Sequence, residues 1–370
     1  MVCAMKMNTP APTYQRIAQA LRNQIKAGKV NPDGYVGSEV DLMHHHRVAR
    51  MTVRRAIDLL IADHLVERRP GKGIYLRTED SVVKKQKNVW LVIDNFGRES
   101  FVHFARAAEK VARQYNIHLT LKDGMAETRE NLRLLNELST HKDVHGAIIV
   151  AWHAPEFFEA ICSLKGNGIP FVLLDYHNVM SSFPTVVADN DRGGALIAQH
   201  VYALGHRNMI FVGDCRASTV QKRLDGFRNY LAEHDLPLPA SAIWDISPTN
   251  DYFSDWIPGI DIKLQNLFAP ENRRNRPTAI IASSDSIAKE IYRWCKKNKI
   301  AIPGDISLVG FDNEPLSSLL NLTTVSQPFS EMGKQALLLL HALLKGTPWN
   351  KTDVVLPVEL IPRESTAPLK

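Results

Sequence analysis

The sequence has no long apolar run. No stretch of about 18 consecutive apolar residues occurs among its 370 residues, so it predicts no transmembrane helix. Residues 1–12 also lack the apolar core of a secretory signal peptide, and we therefore expect a protein of the cytoplasm. Both absences argue against a membrane protein and against a secreted solute-binding protein of a transporter.

Cysteine is scarce, and its spacing indicates no particular chemistry. The four cysteines are Cys3, Cys162, Cys215 and Cys295. They are too far apart for a CxxC metal motif or a disulfide framework, and we expect reduced thiols. The run His44 to His46 does not predict a metal site either, because consecutive side chains of a helix point in different directions. We expect no metal and no cofactor.

Catalytic motifs are missing as well. No serine or cysteine stands in a recognisable nucleophile context. Gly193 and Gly194 are not followed by the GxxxxGKS/T pattern of a phosphate-binding loop. The sequence therefore does not indicate an enzyme, although an enzyme of sugar metabolism remains an alternative that turnover of a bound sugar would reveal.

Positive charge is concentrated near the amino terminus. Residues 1–87 hold 16 Lys and Arg against 8 Asp and Glu, whereas the remaining residues hold 29 against 31. The formal net charge of +6 therefore combines a basic first part with a nearly neutral remainder. This distribution favours a polyanion such as DNA as the partner of the first part only.

The stretch from Val48 to Leu60 predicts a helix with two different faces. Val53, Ile57 and Leu60 recur at helical spacing and can pack on a small domain. The opposite face carries Arg50, Met51, Thr52, Arg54 and Arg55. An arginine-rich face at a helix start suits contacts with phosphates and base edges in a DNA major groove. A solvated surface helix would show the same pattern, so the flanking segments must distinguish a DNA-binding helix from a surface helix.

Those segments complete a winged helix-turn-helix pattern. A helix from Tyr14 to Ile25 comes first, and Ser38 can cap a second helix from Glu39 to His46. Two short helices separated by a turn around Arg47 to Ala49 have helix-turn-helix spacing. The segment Leu65 to Leu76 then predicts two short strands around a basic glycine turn, which is a wing.

Residues 12–77 resemble a GntR-type winged helix-turn-helix domain. The shared positions are Tyr14, Ile17, Leu21, Gly28, Pro32, Gly34, Ser38, Glu39, Arg50, Thr52 to Ala56 and Arg68 to Gly73. The resemblance implies major-groove contacts from the second half of the motif and places the wing at the minor groove. The candidate DNA-binding residues are Ser38, Arg50, Thr52, Arg54, Arg55, Gly71, Lys72 and Gly73.

Three positions depart from the GntR pattern. Val40 stands where many members carry an arginine that touches the operator, so we expect that contact to be absent. Ala49 replaces the usual serine or threonine cap, which should weaken the recognition helix by roughly 1 kcal/mol. His64 occupies a position where glycine is common after the helix.

The pattern changes after a polar linker at residues 78–87. From Asn88 onward, continuous apolar strands alternate with helices, which is typical of a parallel sheet covered on both faces. The first strands are expected at Val89 to Ile93, Ile117 to Leu121, Gly146 to Val150 and Phe171 to Leu174. A second series has strands at Met209 to Val212, near Ile243, at Ala279 to Ala282 and at Ile306 to Val309. Two such α/β halves leave a cleft, where small ligands bind.

Residues 88–365 resemble the effector domain of LacI/GalR regulators, which has the two-lobed periplasmic-binding-protein fold. The shared motifs are Val144 to Ile149, Gly168 to Pro170, Val187 to Gly194, Leu204 to Arg207, Arg223 to Phe227, Pro277 to Ile280, Asp285, Ile302 to Asp312, Leu322 to Val325 and Met332 to Gly333. A GntR-type reader joined to a LacI-type sensor is similar to regulators of the arabinose-repressor type.

The resemblance implies a sugar site in the cleft. Arg223 and Asp285 are expected to point into it, with Asp175 as their counterpart on the first half. Carboxylate and guanidinium groups can bond adjacent sugar hydroxyls. The further candidates are Asp94, Ser100, Phe101, Trp152, Tyr252, Phe253 and Gln327, with Trp256 as another aromatic that could stack on a sugar ring.

These patterns together predict a DNA-binding transcriptional regulator. We expect a repressor of carbohydrate-utilisation genes whose operator binding changes when a sugar fills the cleft. Its partners would be double-stranded operator DNA at the nucleoid, the sugar, and a second copy of the chain that completes a dimer on a two-fold operator. The same architecture sensing a purine or another non-sugar metabolite is the alternative within regulators.

Overall fold

The computed structural model describes residues 12–27, 30–31, 33–63, 65–77, 86–95, 99–125, 127–150, 155–177, 183–246, 259–350 and 353–369. The chain forms two compact units, divided between Gln86 and Lys87. Each unit has apolar core residues of its own.

The described part of the first unit contains three helices and a small sheet. Its elements are α1 (Thr13–Lys26), β1 (Tyr35–Gly37), α2 (Glu39–His46), α3 (Arg50–Ala62), β2 (Val66–Arg69) and β3 (Gly73–Leu76). The strands pair antiparallel in the order β1, β3, β2. The core forms around the apolar face of α3, which packs on α1 and α2. Its members include Ile17, Leu21, Leu42, Val53, Ala56, Ile57, Leu60 and Ile74.

The second unit alternates strands and helices along the chain. Its first series is β4 (Lys87–Ile93), α4 (Glu99–Gln114), β5 (Ile117–Asp123), α5 (Thr128–Thr140), β6 (Gly146–Val150), α6 (Pro155–Gly166), β7 (Phe171–Leu174) and β8 (Thr185–Ala188). Its second series is α7 (Asn190–Ala203), β9 (Met209–Gly213), α8 (Ser218–Glu233), β10 (Ile243–Asp245), α9 (Ile260–Phe268), β11 (Ala279–Ala282), α10 (Asp285–Lys297) and β12 (Ser307–Val309). The chain continues with α11 (Pro315–Leu319), β13 (Thr324–Ser326), α12 (Phe329–Leu344), β14 (Val354–Leu356) and β15 (Glu359–Ile361).

Lobe 1 is a parallel sheet with helices on both faces. Its strand order is β5, β4, β6, β7, β8, β14. Side chains alternate along β4, so that Val89 and Leu91 join the core under α4 and α12. Trp90 and Val92 join the core under α5 and α6. Strands buried on both faces require such continuous apolar runs, and the predicted α/β class is confirmed.

Lobe 2 repeats this arrangement around the parallel strands β10, β9, β11 and β12. Helices α7 and α8 cover one face, and α9 and α10 cover the other. Strands β13 and β15 form a separate antiparallel pair. No helix within the described ranges combines the length and the apolar character that a membrane span requires.

The sequence suggests two halves that follow one another, and this division is incomplete. Helix α12 and strand β14, both near the end of the chain, belong to lobe 1. Strand β14 pairs with β8, and α12 brings Met332, Leu337 and Leu340 to the apolar face of the sheet. The chain therefore crosses between the lobes more than once, beside the space that they enclose.

Candidate DNA-binding surface and ligand cavity

Helix α3 presents an arginine-rich surface. Arg50 and Arg54 have side chains that are 60% and 46% exposed. Arg55 is also exposed, and Thr52 is half-buried. This exposure follows from the helical period, because the apolar positions of α3 face the core.

Glu39, the first residue of α2, contacts several arginines. Its carboxylate accepts hydrogen bonds from Nε of Arg50 and Nε of Arg54, each at 3.0 Å. Nε of Arg68 lies 3.7 Å from it. Burial alone would raise the pKa of Glu39, but the bonds from Arg50 and Arg54 hold that pKa below its usual range. The terminal nitrogens of Arg50 and Arg54 make no hydrogen bond to the described residues, so they are available to a phosphate or a base.

The two helices of the motif begin differently. Ser38 caps α2, since its Oγ accepts from the Asp41 backbone N–H at 3.0 Å and the Asp41 carboxylate accepts from the Ser38 N–H at 2.9 Å. Ala49 stands in the same position before α3 and offers no such bond. The first turn of the recognition helix thus keeps backbone donors that no cap satisfies.

The wing is the turn between β2 and β3. Gly71 and Gly73 have positive φ angles of 72° and 111°, and Lys72 is exposed between them. A Cβ on Gly73 would lie 2.8 Å from the ring of Tyr35, so the backbone requires glycine there. The two glycines therefore allow the tight turn that exposes Lys72 at the tip of the wing.

The positions that depart from the GntR pattern include one surface residue of α2. Val40 is 53% exposed and carries no polar group. Gly28, Pro32 and His64 lie outside the described residues.

In the second unit, the two lobes enclose a polar cavity of about 160 Å³. Lobe 1 contributes Asp94, Ser100, Phe101, Asp175 and Phe329 to its wall. Lobe 2 contributes Asp214, Thr219, Arg223, Ser283, Asp312 and Glu314, and Gln327 lies between β13 and α12. Most of these residues follow the carboxyl ends of parallel strands, where α/β folds bind ligands. Pockets for drug-sized ligands measure roughly 300–1,000 Å³, so this cavity suits a smaller molecule of monosaccharide size.

Arg223 is the buried cation of this cavity, with a side chain only 6% exposed. Its Nε donates to Oδ1 of Asn190 at 2.7 Å, and its Nη1 donates to the Ser283 carbonyl. Nη1 also lies 3.5 Å from the Asp312 carboxylate, and the guanidinium stacks on Phe311 at 3.8 Å from the ring centroid. Neither N–H of Nη2 has a partner in the described part of the chain, so two donors remain for a ligand.

The position of Arg223 depends on the close approach of α7 and α8. A Cβ on Gly194 would lie 1.9 Å from the carbonyl oxygen of Arg223, and one on Gly226 would lie 1.8 Å from that of Asp191. Only glycine allows the two backbones to pack so closely. Gly194 therefore serves helix packing, which agrees with the absence of a phosphate-loop motif in the sequence.

Asp312 and Gln327 form the polar wall beside Arg223. Burial raises the pKa of Asp312 well above its usual range, and the nearby Arg223 opposes this effect. Gln327 donates from Nε2 to Oδ1 of Asp312 at 2.7 Å. Oε1 of Gln327 and Oγ of Ser283 are buried without a hydrogen-bond partner among the described atoms. Unsatisfied buried polar atoms cost free energy, and these two line a cavity where a ligand could satisfy them.

Asp175 and Asp312 share an uncommon backbone conformation. Their φ angles are 59° and 122°, in the region that favours glycine. Such conformations cost energy in other residues and cluster at functional sites. One of these two residues lies on each lobe, and both line the cavity.

Asp285 does not line the cavity, which corrects the expectation that it points into the cleft. Its carboxylate accepts from the Thr324 hydroxyl at 2.7 Å and from the Glu314 backbone N–H at 2.9 Å. Burial raises its pKa to about 6. Asp285 thus ties α10 to the chain around β13, and Asp312 presents its carboxylate to the cavity instead. The sequence contained a signal for Asp312, since it comes soon after the buried strand β12.

The other predicted ligand residues divide into two groups. Ser100 and Phe101, at the start of α4, are buried and line the cavity, as Asp94 does after β4. Trp152, Tyr252, Phe253 and Trp256 lie outside the described residues. No group of three or more His, Cys, Asp or Glu in the described ranges is arranged to hold a metal ion.

Two family models match separate parts of the chain. Residues 13–76 match the gntR family of bacterial regulatory proteins, and residues 198–366 match the periplasmic binding protein-like domain. The arabinose metabolism transcriptional repressor of Geobacillus stearothermophilus is 25% identical over 96% of this chain and 98% of its own length. The ribose operon repressor of Haemophilus influenzae is 27% identical over 78% of this chain and 83% of its own length.

A solved structure shares the architecture of the second unit. It is a LacI family transcriptional regulator from Enterococcus faecium with bound ribose, 27% identical, with a TM-score of 0.63 over 77% of this chain and 100% of its own. A winged helix and a two-lobed cavity on one chain define a ligand-responsive transcriptional regulator. The chain joins a DNA-binding domain that matches the gntR family to a periplasmic-binding-protein-like domain, which is similar in structure to that of the LacI family regulator. The prediction of a regulator and not an enzyme is confirmed by these relatives.

Proposed function

We propose that this regulator represses carbohydrate-utilisation genes and leaves its operator when a sugar binds between lobes 1 and 2. The observation that carries the proposal is the wall of the cavity, where Arg223, Asp312 and Gln327 offer donors and acceptors side by side. Sugar hydroxyls both donate and accept, so adjacent hydroxyls match such a wall. The arabinose and ribose repressors and the ribose-bound relative support a pentose or a sugar of similar size.

On the DNA side, the contacts come from α3 and the wing. We assign Arg50, Thr52, Arg54 and Arg55 to the major groove and Gly71 to Gly73 to the minor groove, with Ser38 close to the phosphates at the start of α2. The DNA-binding domain, or reader, comprises residues 12–77. The linker comprises residues 78–87, and the ligand-binding domain, or sensor, comprises residues 88–365. A homodimer on a two-fold operator, at the nucleoid in the cytoplasm, completes the assignment.

The coupling between sugar and DNA is thermodynamic. A sugar that bridges the lobes favours their closed arrangement, and DNA favours the arrangement that holds two readers on one operator. If the two ligands favour different arrangements, each weakens the binding of the other by the same factor, typically about 5–150-fold.

Thermal unfolding of the full chain against pentoses, hexoses, sugar acids, sugar phosphates and nucleobases tests this function. A sugar present at about 100 times its dissociation constant should stabilise the protein by roughly 2.7 kcal/mol. The effect should vanish in Gln327→Ala and persist in Gln221→Ala, a control on the exposed side of α8. Stabilisation by a nucleobase alone would support a purine sensor, and no stabilisation by any compound would refute a sugar effector.

A further inference from the structure

Asn131 is a buried polar residue that stands behind the cavity. It lies in the first turn of α5, its exposed fraction is 0%, and it does not line the cavity wall. Its Nδ2 donates to Oδ1 of Asp94 at 2.7 Å. Asp94 follows β4 and does line the cavity. Asn131 therefore contacts a wall residue without being able to touch a ligand in the cavity.

The surroundings of Asn131 fix the orientation of its amide. A carboxylate only accepts hydrogen bonds, so the amide must turn its nitrogen toward Asp94. Its oxygen then faces Gly124, where an added Cβ would lie 1.7 Å away. That oxygen has no hydrogen-bond partner among the described residues. A buried unsatisfied oxygen is unfavourable, and an apolar side chain would avoid it, so the bond to Asp94 is the reason for an amide at this position.

Lobe 2 contains a similar hydrogen bond from a side-chain amide to a carboxylate, but there the amide lies at the cavity itself. Gln327 donates to Oδ1 of Asp312 at the same distance, 2.7 Å, as Asn131 donates to Asp94. Gln327 forms part of the cavity wall itself, whereas Asn131 does not. Each lobe thus presents a carboxylate that a neighbouring amide holds in place, and the amide of lobe 1 acts only through its carboxylate.

We propose that Asn131 is a positioning residue that fixes the Asp94 carboxylate for the effector and thereby sets the preference among sugars. The proposal rests on the proposed function, because it assumes that a sugar occupies the cavity. The bond from Asn131 holds the Asp94 carboxylate in one orientation, in which it accepts from one sugar hydroxyl and not from its epimer. A site that bonds a specific hydroxyl rejects a ligand lacking that hydroxyl strongly, since its own polar group is then left unpaired.

The test is a double-mutant cycle on the full chain. Isothermal titration calorimetry would give the affinities of the wild type, Asn131→Ala, Asp94→Ala and the double variant for L-arabinose, D-ribose and D-xylose. We expect Asn131→Ala to lower the affinity for the preferred sugar about tenfold or more. The differences in affinity among the three sugars should also become smaller. In the Asp94→Ala background, which lacks the acceptor, the same change should have no further effect. Asn136→Ala, an exposed position on α5, should bind all three sugars as the wild type does.

Asn131→Leu keeps the branched shape of the side chain but lacks the amide, and it serves as the second variant if Asn131→Ala does not fold. Unchanged affinity and unchanged preference in the folded variants would overturn the proposal. An equal loss in the Asp94→Ala background would also overturn it, because Asn131 would then act through the packing of α5. A wild type that binds none of the three sugars would overturn it too, and that result, visible without any variant, would identify the sugar assignment as the failure.

Discussion

The two units of this protein use the same pair of groups, a guanidinium and a carboxylate, in opposite environments. On the reader, the arginines of the pair are exposed: Arg50 and Arg54, at 60% and 46%, bond Glu39, which is itself 18% exposed. In the sensor, Arg223 lies beside Asp312, with their side chains 6% and 15% exposed. Exposed pairs contribute about 0–1 kcal/mol, whereas removing one partner of a buried pair costs roughly 3–5 kcal/mol. The reader can therefore exchange its carboxylate for phosphate, while the sensor keeps its own charges and offers its remaining polar atoms to a neutral ligand.

Removing the buried cation should have the largest effect. Arg223→Ala deletes the bonds to Asn190 and Ser283 and leaves Asp312 buried without its cation. We expect the free energy of unfolding to fall by about 3–5 kcal/mol and the stabilisation by sugar to disappear, both measured by urea unfolding. Arg228→Ala, at an exposed position of the same helix, is the control and should change little. A loss below about 1 kcal/mol would mean that the buried pair behaves like a surface pair.

Removing the exposed cations should affect DNA and leave the sensor unchanged. Arg50→Ala and Arg54→Ala should each weaken specific DNA binding by roughly 1–3 kcal/mol, with the unfolding midpoint and sugar affinity as in the wild type. Fluorescence anisotropy with labelled DNA measures the first effect and calorimetry the second. Arg16→Ala removes the same charge from the exposed surface of α1 and should weaken binding less. A joint loss of DNA affinity and thermal stability would show that these arginines support the fold.

Asp285 makes the stability of the sensor depend on pH. Its pKa in the folded protein is about 6, against an ordinary value of 3.8. Between these two values the folded state binds more protons than the unfolded state, so this group's contribution to stability falls as pH rises through that window. Asp285→Asn cannot ionise, and the difference in the free energy of unfolding between the variant and the wild type should change by on the order of 2–3 kcal/mol across this window. Urea unfolding at pH values from about 4 to about 7 measures it, and parallel curves for the two proteins would contradict the assignment.

Restoring the missing cap of the recognition helix should have a smaller effect, a gain in the stability of α3. Ala49 has the extended backbone of a capping residue, with φ −66° and ψ 152°. A serine hydroxyl there would satisfy a free backbone N–H of α3, so Ala49→Ser should stabilise this helix by about 1 kcal/mol. Hydrogen exchange of the α3 amides measures the local effect. Ser38→Ala should lower protection in α2 by a similar amount, and no change in either variant would show that the caps are not what limits these helices.

Local patterns of the sequence predict the parts of the fold that local forces decide. The strands Gly146–Val150, Phe171–Leu174 and Ala279–Ala282 have the bounds that their apolar runs predict, because a continuous apolar run between polar residues defines a buried strand by itself. Helix α12 and strand β14 were not predicted, since their place in lobe 1 depends on pairing with β8, far away in the chain. Local patterns in a single sequence do not indicate which sheet receives a late strand.

The same limit applies to the cavity. Asp175 lies at its wall as expected, because it directly follows strand β7, and Arg223 lies there too, in the second turn of α8. That rule selects Asp285 and Asp312 equally, and only the contacts of Asp285 with Thr324 and Glu314 turn it away from the cavity. The contact of Asn131 with Asp94 was not predicted from the sequence, since it depends on the approach of α5 to the end of β4.

The most direct test of the account is the affinity for operator DNA with and without the effector. The DNA would be a fragment that the protein itself enriches from a random pool, and the effector the sugar that stabilises it against heat. We expect the sugar to raise the dissociation constant for this DNA by about 5–150-fold, and the DNA to weaken sugar binding by the same factor. Equal DNA affinity with and without a sugar that demonstrably fills the cavity would contradict it.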